Sequence, residues 1–234
     1  MNFPIRINKY LSQVGYCSRR EADKLLRDNK ILINGKLPEL GTKVNKGDIV
    51  KVNGEIVGAE EDEPVYLVFN KPKGIVCTTD TGVEKDNIID YINYPTRIYP
   101  IGRLDKMSEG LIFLTNDGAI VNKILRARNY HEKEYVVKVN KPITNDFLNK
   151  MANGVDILDT TTRKCKVKKV NLNTFKITLT QGLNRQIRRM CEALDYRVIA
   201  LKRIRIMHIS LDVPVGKYRH FTGEELSQIK TELG

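Results

Sequence analysis

The sequence predicts an α+β fold in which a small α/β module precedes a larger domain with a mixed, largely antiparallel sheet. Near the N-terminus, apolar residues recur at helical spacing in two short segments, and short strands follow them. From residue 65 onward, strand-like segments outnumber helical ones and long connections separate them. A chain of 234 residues is long enough for both parts.

The N-terminal module shows helix and turn signals in sequence order. Apolar side chains repeat every three or four positions over residues 7–14, which predicts a short helix. Ser18 and Glu21 have the spacing of a capping box at the start of a second helix. Strands are predicted at 31–33 and 49–52, and an Asn-Gly pair that favours a tight turn follows each.

An acidic stretch separates the module from the rest of the chain. Residues 58–64 read GAEEDEP, which is poor in apolar side chains and closed by proline. Such composition is typical of a linker between domains. We therefore predict a first domain at 1–55, a linker at 56–64 and a second domain at 65–234.

The second domain is predicted to consist mainly of strands. Its predicted strands cover residues 65–69, 111–115, 135–139, 175–180, 197–201 and 204–211. Helices are predicted at 187–194 and 223–233. Residues 70–74, NKPKG, are predicted to form a turn-rich loop after the first of these strands.

The charge of the chain indicates a polyanionic partner. Lys and Arg total 40 against 28 Asp and Glu, so the formal net charge is +12. No apolar run approaches the roughly 20 residues that span a bilayer, and the N-terminus lacks a signal-peptide apolar core. Nucleic acid is therefore favoured over a membrane, and a cytoplasmic protein is expected. A basic surface with no specific partner is the alternative on charge alone.

The sequence contains no recognisable metal-binding or cofactor-binding motif. The four cysteines contain no C-x-x-C pair and fit free thiols in a reducing compartment. The three histidines are dispersed, and HEKEY at 131–135 lacks the second histidine of a zinc-protease motif. We therefore expect neither a metal nor a cofactor.

The N-terminal module resembles the S4 RNA-binding domain. The resemblance lies in RINKYL at 6–11, CSRREA at 17–22 and INGK at 33–36. Basic residues near the start of a helix suit phosphate, because the unpaired N–H groups there favour an anion. The residues expected to contact the RNA backbone are Arg6, Lys9, Arg19, Arg20 and Lys36. A solvated helix face is the plainer alternative for these charges.

The strongest motif lies at residues 102–118, GRLDKMSEGLIFLTNDG. It puts Asp105 in a loop just before a buried strand, and loops mounted on rigid strands often carry catalytic groups. The whole string resembles the signature of the RsuA-type pseudouridine synthases. The resemblance implies that Asp105 is the catalytic residue. It also implies that Arg103, two positions earlier, inserts into the RNA or holds the phosphate beside the target base.

Two further motifs resemble the same family. EKEY at 132–135 is similar to the motif whose Tyr stacks on the target base, which implies that role for Tyr135. GLNRQIRRM at 182–190 is similar to the motif whose Arg pairs with the catalytic Asp. ALKR at 200–203 implies that Leu201 lies under the uracil, although core packing explains Leu201 nearly as well.

Helix geometry favours Arg188 as the partner of Asp105. At 100° per residue, Arg188 borders the apolar stripe that contains Ile187, whereas Arg189 lies roughly opposite that stripe. Arg188 is therefore expected to reach a half-buried pocket. Arg185 and Arg189 are expected to contact RNA.

The resemblance implies a cofactor-free isomerase that flips a uridine out of structured RNA and uses Asp105 in its ionised form. The chain as a whole is most similar to the branch acting on large-subunit ribosomal RNA, so a 23S-type stem-loop is the expected substrate. Small-subunit RNA and a tRNA anticodon arm are alternative substrates. A non-catalytic ribosome-assembly protein and an RNA N-glycosidase are alternative functions. A monomer is expected.

Overall fold

A computed structural model describes residues 1, 3–58, 63–80, 82–125 and 130–234. The chain forms two compact units, of which the first contains Met1–Pro64 with Pro95–Arg97 and Asn116–Gly118. The second contains Val65–Tyr94, Ile98–Thr115 and Ala119–Gly234. Residues 59–62 of the predicted acidic linker lie outside the described residues.

The helices and strands have the following bounds. The helices are α1 (Ile7–Gln13), α2 (Arg19–Arg27), α3 (Ile88–Ile92), α4 (Gly118–Leu125), α5 (Asn145–Asn153), α6 (Gln186–Ala193) and α7 (Gly223–Leu233). The strands of the first unit are β1 (Ile5–Arg6), β2 (Ile31–Ile33), β3 (Lys43–Val44), β4 (Val50–Val52) and β5 (Glu55–Ile56). Those of the second are β6 (Tyr66–Lys71), β7 (Tyr99–Ile101), β8 (Glu109–Thr115), β9 (Lys133–Val139), β10 (Asp156–Ile157), β11 (Thr160–Thr161), β12 (Lys166–Asn171), β13 (Thr174–Leu179), β14 (Val198–Ile206), β15 (Ile209–Ser210) and β16 (Tyr218–His220).

The first unit packs α1 and α2 with short antiparallel strands. β1 pairs with β3, and β2, β4 and β5 form a three-stranded sheet. Ser18 caps α2 by accepting a hydrogen bond from the Glu21 N–H at 3.1 Å, which confirms the predicted helix start. Asn34 and Gly35 both have positive φ, 50° and 79°, as the predicted tight turn requires. The core of the unit consists of Ile5, Ile7, Tyr10, Leu11, Cys17, Ala22, Leu26, Ile31, Val44, Val50 and Val52.

The second unit is built on a nine-stranded mixed sheet. Its strand order is β12-β13-β9-β14-β8-β6-β16, with β15 paired to β14 and β7 paired to β8. β14 and β8 are parallel, whereas the other described pairs of this sheet are antiparallel. The predicted α+β class with a largely antiparallel sheet is confirmed.

The parallel pair depends on Gly110. Gly110 lies opposite Arg203 across the pair and has a φ of 106°. A Cβ at this position would lie 2.2 Å from the carbonyl oxygen of Arg203. Only glycine allows the two backbones to approach this closely.

Helices cover both faces of the sheet in different places. α5 and α6 pack against β9 and β13 through a core that includes Phe147, Met151, Phe175 and Met190. Elsewhere, α4 and α7 contribute Ile120, Ile124 and Ile229 to a core with Val68, Leu111 and Phe113. Because both faces of β6 are covered, all six of its residues are buried.

Two sequence predictions about this sheet are wrong. Asn70 and Lys71 are not in a loop but end β6, where they are 2% and 0% exposed. The predicted strands at 197–201 and 204–211 are largely one strand, β14, that runs through Lys202 and Arg203. The two adjacent charges suggested a break, but the Arg203 Nε donates a hydrogen bond to the Leu111 carbonyl at 2.6 Å within the sheet.

In the part of the chain that the structure describes, every helix is too short or too polar to cross a bilayer.

Candidate active site

Asp105 lies in the loop between β7 and β8. Its carbonyl accepts a hydrogen bond from the Ser108 N–H at 2.9 Å, which closes a tight turn just before β8. Leu104 is 7% exposed, and its N–H donates to the Cys77 sulfur at 3.4 Å. The loop is therefore anchored on both sides of Asp105, whose own side chain remains 38% exposed.

The buried side chain of Lys71 is hydrogen-bonded to this loop. The Lys71 ammonium donates hydrogen bonds to the carbonyls of Pro72 at 2.8 Å, Ile75 at 2.7 Å and Lys106 at 3.4 Å. The Lys106 carbonyl also accepts from the Gly74 N–H at 2.8 Å. Burial lowers the pKa of Lys71. The NKPKG segment is thus tied to the residue that follows Asp105.

Arg188 reaches Asp105 from helix α6. Its Nε lies 3.6 Å from Oδ2 of Asp105, and its side chain is only 13% exposed. The Nη2 atom donates to the Ser108 hydroxyl at 3.2 Å and to the Met107 carbonyl at 3.5 Å. Arg188 therefore contacts the turn after Asp105 as well as the carboxylate.

Local contacts hold the start of α6, the helix that carries this arginine. The N-cap residue Arg185 has a left-handed backbone with a φ of 50°. Gln186 is 4% exposed, and its Oε1 accepts a hydrogen bond from the Leu183 N–H at 3.1 Å. Arg189 turns back to Asn184, whose carbonyl accepts from the Arg189 Nε at 3.1 Å.

Tyr135 projects from β9 at the centre of the sheet. In register it lies between Ile177 on β13 and Arg203 on β14. Its half-buried ring packs against two apolar cores of the second unit. The Arg203 guanidinium carbon lies 6.0 Å from the ring centroid, at the outer limit of a cation–π contact. Leu201, two residues before Arg203, is 6% exposed and belongs to the core beneath α6.

The two glutamates of the EKEY motif make ion pairs within the sheet. Arg205 Nη2 lies 2.8 Å from Glu132, and its Nε lies 3.1 Å from Glu134. Hydrogen bonds from Lys166 and Arg205 lower the pKa of Glu132. Successive side chains of a strand point to opposite faces, so Glu134 and Tyr135 project from opposite faces of the sheet.

One cleft of about 520 Å³ in the second unit brings six of the predicted site residues together. Its lining includes Arg103, Asp105, Tyr135, Arg185, Arg188 and Leu201. Arg189 does not line it. The other predicted RNA contacts are exposed side chains of the first unit, namely Arg6, Lys9, Arg19, Arg20 and Lys36.

The sequence prediction missed two cationic residues of the cleft, Lys133 and Arg203. Burial, and then the charge of Arg203, lower the pKa of Lys133 to about 8. Arg203 is only 3% exposed, and its Nη2 is buried without a hydrogen-bond partner. A signal for Lys133 was present, because it precedes Tyr135 by two residues and so faces the same side of a strand.

Family models match both parts of the chain. Residues 65–193 match the model described as RNA pseudouridylate synthase. Residues 5–50 match the model of the S4 domain.

Curated relatives and a solved structure agree with these matches. The chain is 56% identical over 224 residues to a dual-specificity RNA pseudouridine synthase RluF from Shigella flexneri, covering 95% of this chain and 77% of the relative. It is 36% identical over 234 residues to ribosomal large subunit pseudouridine synthase B from Bacillus subtilis, covering 96% and 95% of the two chains. A crystal structure of a pseudouridylate synthase superimposes with a TM-score of 0.70 at 27% identity and covers 98% of this chain and 100% of that one.

These findings agree with the geometry of the cleft and with the motifs that line it. The residues that match the synthase model, 65–193, include Asp105, Tyr135 and Arg188. The chain therefore belongs to the RNA pseudouridine synthases and is an RNA-binding isomerase that converts uridine to pseudouridine.

Proposed function

We propose that this enzyme isomerises a specific uridine in structured RNA and that Asp105 acts at the ribose of the flipped nucleotide. One observation carries the proposal. The Asp105 carboxylate lies 3.6 Å from the Arg188 guanidinium in a cleft that Tyr135 and Leu201 also line. The cleft thus contains a carboxylate beside a cation, an aromatic ring and an apolar surface, and a flipped uridine needs all of them.

The reaction explains the need for an ionised carboxylate. Breaking the bond between N1 of uracil and C1′ of ribose leaves positive charge on the sugar. The Asp105 carboxylate stabilises that charge by attacking C1′, or it removes the 2′ hydrogen instead. In either route the Arg188 guanidinium places a positive charge 3.6 Å from that carboxylate.

The neighbouring residues hold the base and the backbone. Tyr135 stacks on the uracil, and Leu201 supports it from below. Arg103, whose side chain is exposed at the mouth of the cleft, contacts the RNA or the phosphate beside the flipped base. Arg185 and Arg189 contact RNA phosphates near the start of α6.

The first unit binds the RNA backbone in this proposal. Residues 1–55 form the binding domain, 56–64 the linker and 65–234 the catalytic domain. The contacts are supplied by Arg6, Lys9, Arg19, Arg20 and Lys36, which are all exposed. Such contacts give affinity and orientation but little sequence readout.

The proposed target is a stem-loop of 23S-type ribosomal RNA, with a tRNA anticodon arm as the second candidate. The Bacillus subtilis relative is named for the large ribosomal subunit, which supports the first. The Shigella relative is named as dual-specificity, which supports keeping a second RNA class. We also propose that the enzyme is a cytoplasmic monomer. Its free thiols, such as the buried Cys77 and Cys191, suit a reducing compartment.

Tritium release from RNA labelled at uracil C5 tests the reaction. Isomerisation releases the label, because C5 loses its hydrogen when it bonds to the ribose. A protein that only binds RNA releases nothing, and an N-glycosidase frees labelled uracil as the intact base. Release of label into water without free base is the expected result. Free labelled base or no release contradicts the proposal.

Pseudouridine mapping identifies the target. Total RNA is mapped from cells with and without the gene for this protein. We expect one or a few sites in 23S-type ribosomal RNA to lose pseudouridine, with any tRNA site changing in the same comparison. Loss confined to small-subunit RNA would contradict the proposed target but not the reaction.

A further inference from the structure

We propose that Lys133 and Arg203 form a cationic subsite that binds the uracil as an anion after its bond to the ribose has broken. The inference rests on the proposed function, in which Asp105 and Tyr135 hold a flipped uridine in the cleft. It adds a ligand-binding role for two residues to which the sequence motifs assign none. The subsite binds the carbonyl oxygens of the base, onto which the negative charge of the leaving uracil is delocalised.

Lys133 is placed beside the predicted base position. It precedes Tyr135 by two residues on β9, so both side chains project from the same face of the sheet. Both line the cleft that contains Asp105. In register, Lys133 lies opposite Leu179 on β13 and Ile206 on β14, which are both buried. Lys133 is therefore flanked by two buried apolar residues and lines the cleft.

The ammonium of Lys133 has no partner within the described residues, where neither a hydrogen bond nor an ion pair to its Nζ is formed. Most lysines at a strand surface are solvated or paired with a carboxylate. Lys133 is instead partly buried, and desolvation followed by the charge of Arg203 lowers its pKa to about 8. A desolvated cation without a counter-ion in a cleft is typical of a functional site.

Arg203 provides the second donor of the subsite. Its Nε donates to the Leu111 carbonyl at 2.6 Å, and its guanidinium carbon lies 6.0 Å from the centroid of the Tyr135 ring. Its Nη2 is buried and lacks a hydrogen-bond partner. Buried donors are normally satisfied, and because Arg203 lines the cleft this donor is available to a polar atom of a ligand there. A carbonyl oxygen of a base stacked on Tyr135 fits that requirement.

The charges around the subsite favour an anionic ligand. Asp105 is the one carboxylate among the described residues that line the cleft, and Arg188 already contacts it. The other charged or titratable groups that face Lys133 are Arg103, Arg185, Arg203 and Tyr135 in the cleft and His131 at the approach to β9. Burial, and then the charge of Lys133, lower the pKa of His131, which disfavours a second positive charge beside Lys133.

The reaction creates the anion that this subsite binds. The bond between N1 and C1′ breaks with its electron pair going to N1, so uracil leaves as an anion with charge delocalised onto its carbonyl oxygens. The base turns, C5 bonds to C1′, C5 loses its proton and N1 takes one up. Donors aimed at charge that appears during the reaction lower the barrier more than donors aimed at the neutral substrate. Lys133 and Arg203 thus retain and stabilise the base while it turns.

Kinetics of Lys133 variants test the inference. Lys133→Met is expected to lower kcat/KM for tritium release from labelled 23S-type RNA by about 100-fold at pH 7, the cost of losing one such donor. Lys133→Arg keeps the charge and is expected to retain most of the activity. Lys138→Met is the matched control, because Lys138 is an exposed lysine on the opposite face of the same strand. It is expected to behave as the wild type.

The pH profile separates a role in binding the anion from a role in stability. The wild-type kcat/KM is expected to fall by about tenfold per unit above pH 8, as Lys133 loses its proton. The profiles of Lys133→Met and Lys133→Arg are expected to be flat between about pH 7 and pH 9. Lys133→Met is also expected to melt at the same or a higher temperature, because it removes a desolvated charge.

Three results would overturn the inference. They are a wild-type rate for Lys133→Met, a Lys133→Met profile that falls like that of the wild type, and a loss of melting temperature that accounts for the loss of rate. Asp105→Asn is assayed in parallel. If that variant remains active, the proposed function fails as well. If only the Lys133 variants behave as the wild type, the proposed function stands and this inference alone is wrong.

Discussion

At the scale of single residues, Arg188 acts on Asp105 by charge and on the neighbouring turn by hydrogen bonds. The distance of 3.6 Å between Nε and Oδ2 is too long for a strong hydrogen bond, whereas 3.2 Å to the Ser108 hydroxyl is within range. The planar guanidinium makes both interactions at once. The Arg188 side chain is 13% exposed and the Asp105 side chain 38% exposed, so water partly screens the attraction between the two charges.

Replacing Arg188 by lysine tests this double role. Arg188→Lys keeps the charge beside Asp105 but loses the hydrogen bond that Nη2 makes to the Ser108 hydroxyl. We therefore expect kcat to fall by about 10- to 100-fold with the fold intact. Single-turnover tritium release measures the effect, and Arg197→Lys, at an exposed position after α6, serves as the control. A variant as fast as the wild type would mean that charge alone suffices.

The sequence motifs predict that Asp105, Tyr135 and Arg188 belong to one site, and these three residues do line one cleft. Asp105, Tyr135 and Arg188 lie far apart in sequence, and their motifs together implied one site. Lys133 and Arg203 were missed because charged residues in a strand are usually exposed. The spacing of two residues from Tyr135 places Lys133 on the same face of β9, whereas the placement of Arg203 follows from the register of β9 against β14, which the sequence does not display.

At the scale of elements, the join between β8 and β14 is the structural basis of the cleft. β8 follows the Asp105 loop, and β14 carries Leu201 and Arg203. The two strands are parallel over Lys202–Glu109 and Arg203–Gly110, and β7 pairs with β8 further along. A shift in this short pairing would move Asp105 relative to the residues of β9 and β14.

Gly110→Ala is therefore expected to destabilise the protein by about 3 kcal/mol, because the new Cβ collides with the Arg203 backbone at a positive φ. Urea unfolding measures the change. Gly223→Ala is the control, since a Cβ there meets no atom within 4 Å and the backbone is not left-handed. It is expected to be neutral or slightly stabilising. Equal stability of the two variants would contradict the close approach of β8 and β14.

Element prediction succeeded where periodicity was regular and failed where charge interrupted it. The terminal helix was predicted with its observed bounds, Gly223–Leu233, because its apolar spacing is helical. Two strands are predicted where the structure has the single strand β14, because Lys202 and Arg203 interrupt the apolar pattern. Short elements such as α3 and β16 carry too few residues for a period to be read.

At the scale of the whole molecule, the net charge of +12 is shared between a binding unit and a catalytic unit in our account. Each unit has its own apolar core, which is the condition for independent folding. The S4 match ends at residue 50 and the synthase match begins at 65. The sequence supported the order of the units through composition, because an acidic stretch lies between two basic, core-forming segments.

Deletion of residues 1–55 is expected to leave a folded catalytic unit with weaker RNA binding. The plot of log affinity against log salt concentration is expected to become shallower by roughly 0.7 to 0.9 for each phosphate that the protein no longer neutralises. A full-length variant with glutamine at Arg6, Lys9, Arg19, Arg20 and Lys36 serves as the comparison and should change the slope in the same direction. An unfolded fragment would refute the domain boundary, and an unchanged slope would refute the proposed binding of phosphates by these side chains.

The central claim is that the carboxylate of Asp105 performs chemistry on the ribose. Single-turnover isomerisation by Asp105→Asn tests it most directly, with Asp195→Asn, an exposed position after α6, as the control. The asparagine has nearly the same shape but no charge, so the account predicts an unchanged melting temperature, unchanged RNA affinity and a rate lower by about 1000-fold or more. An Asp105→Asn enzyme that retains more than a few per cent of the wild-type rate would contradict the account.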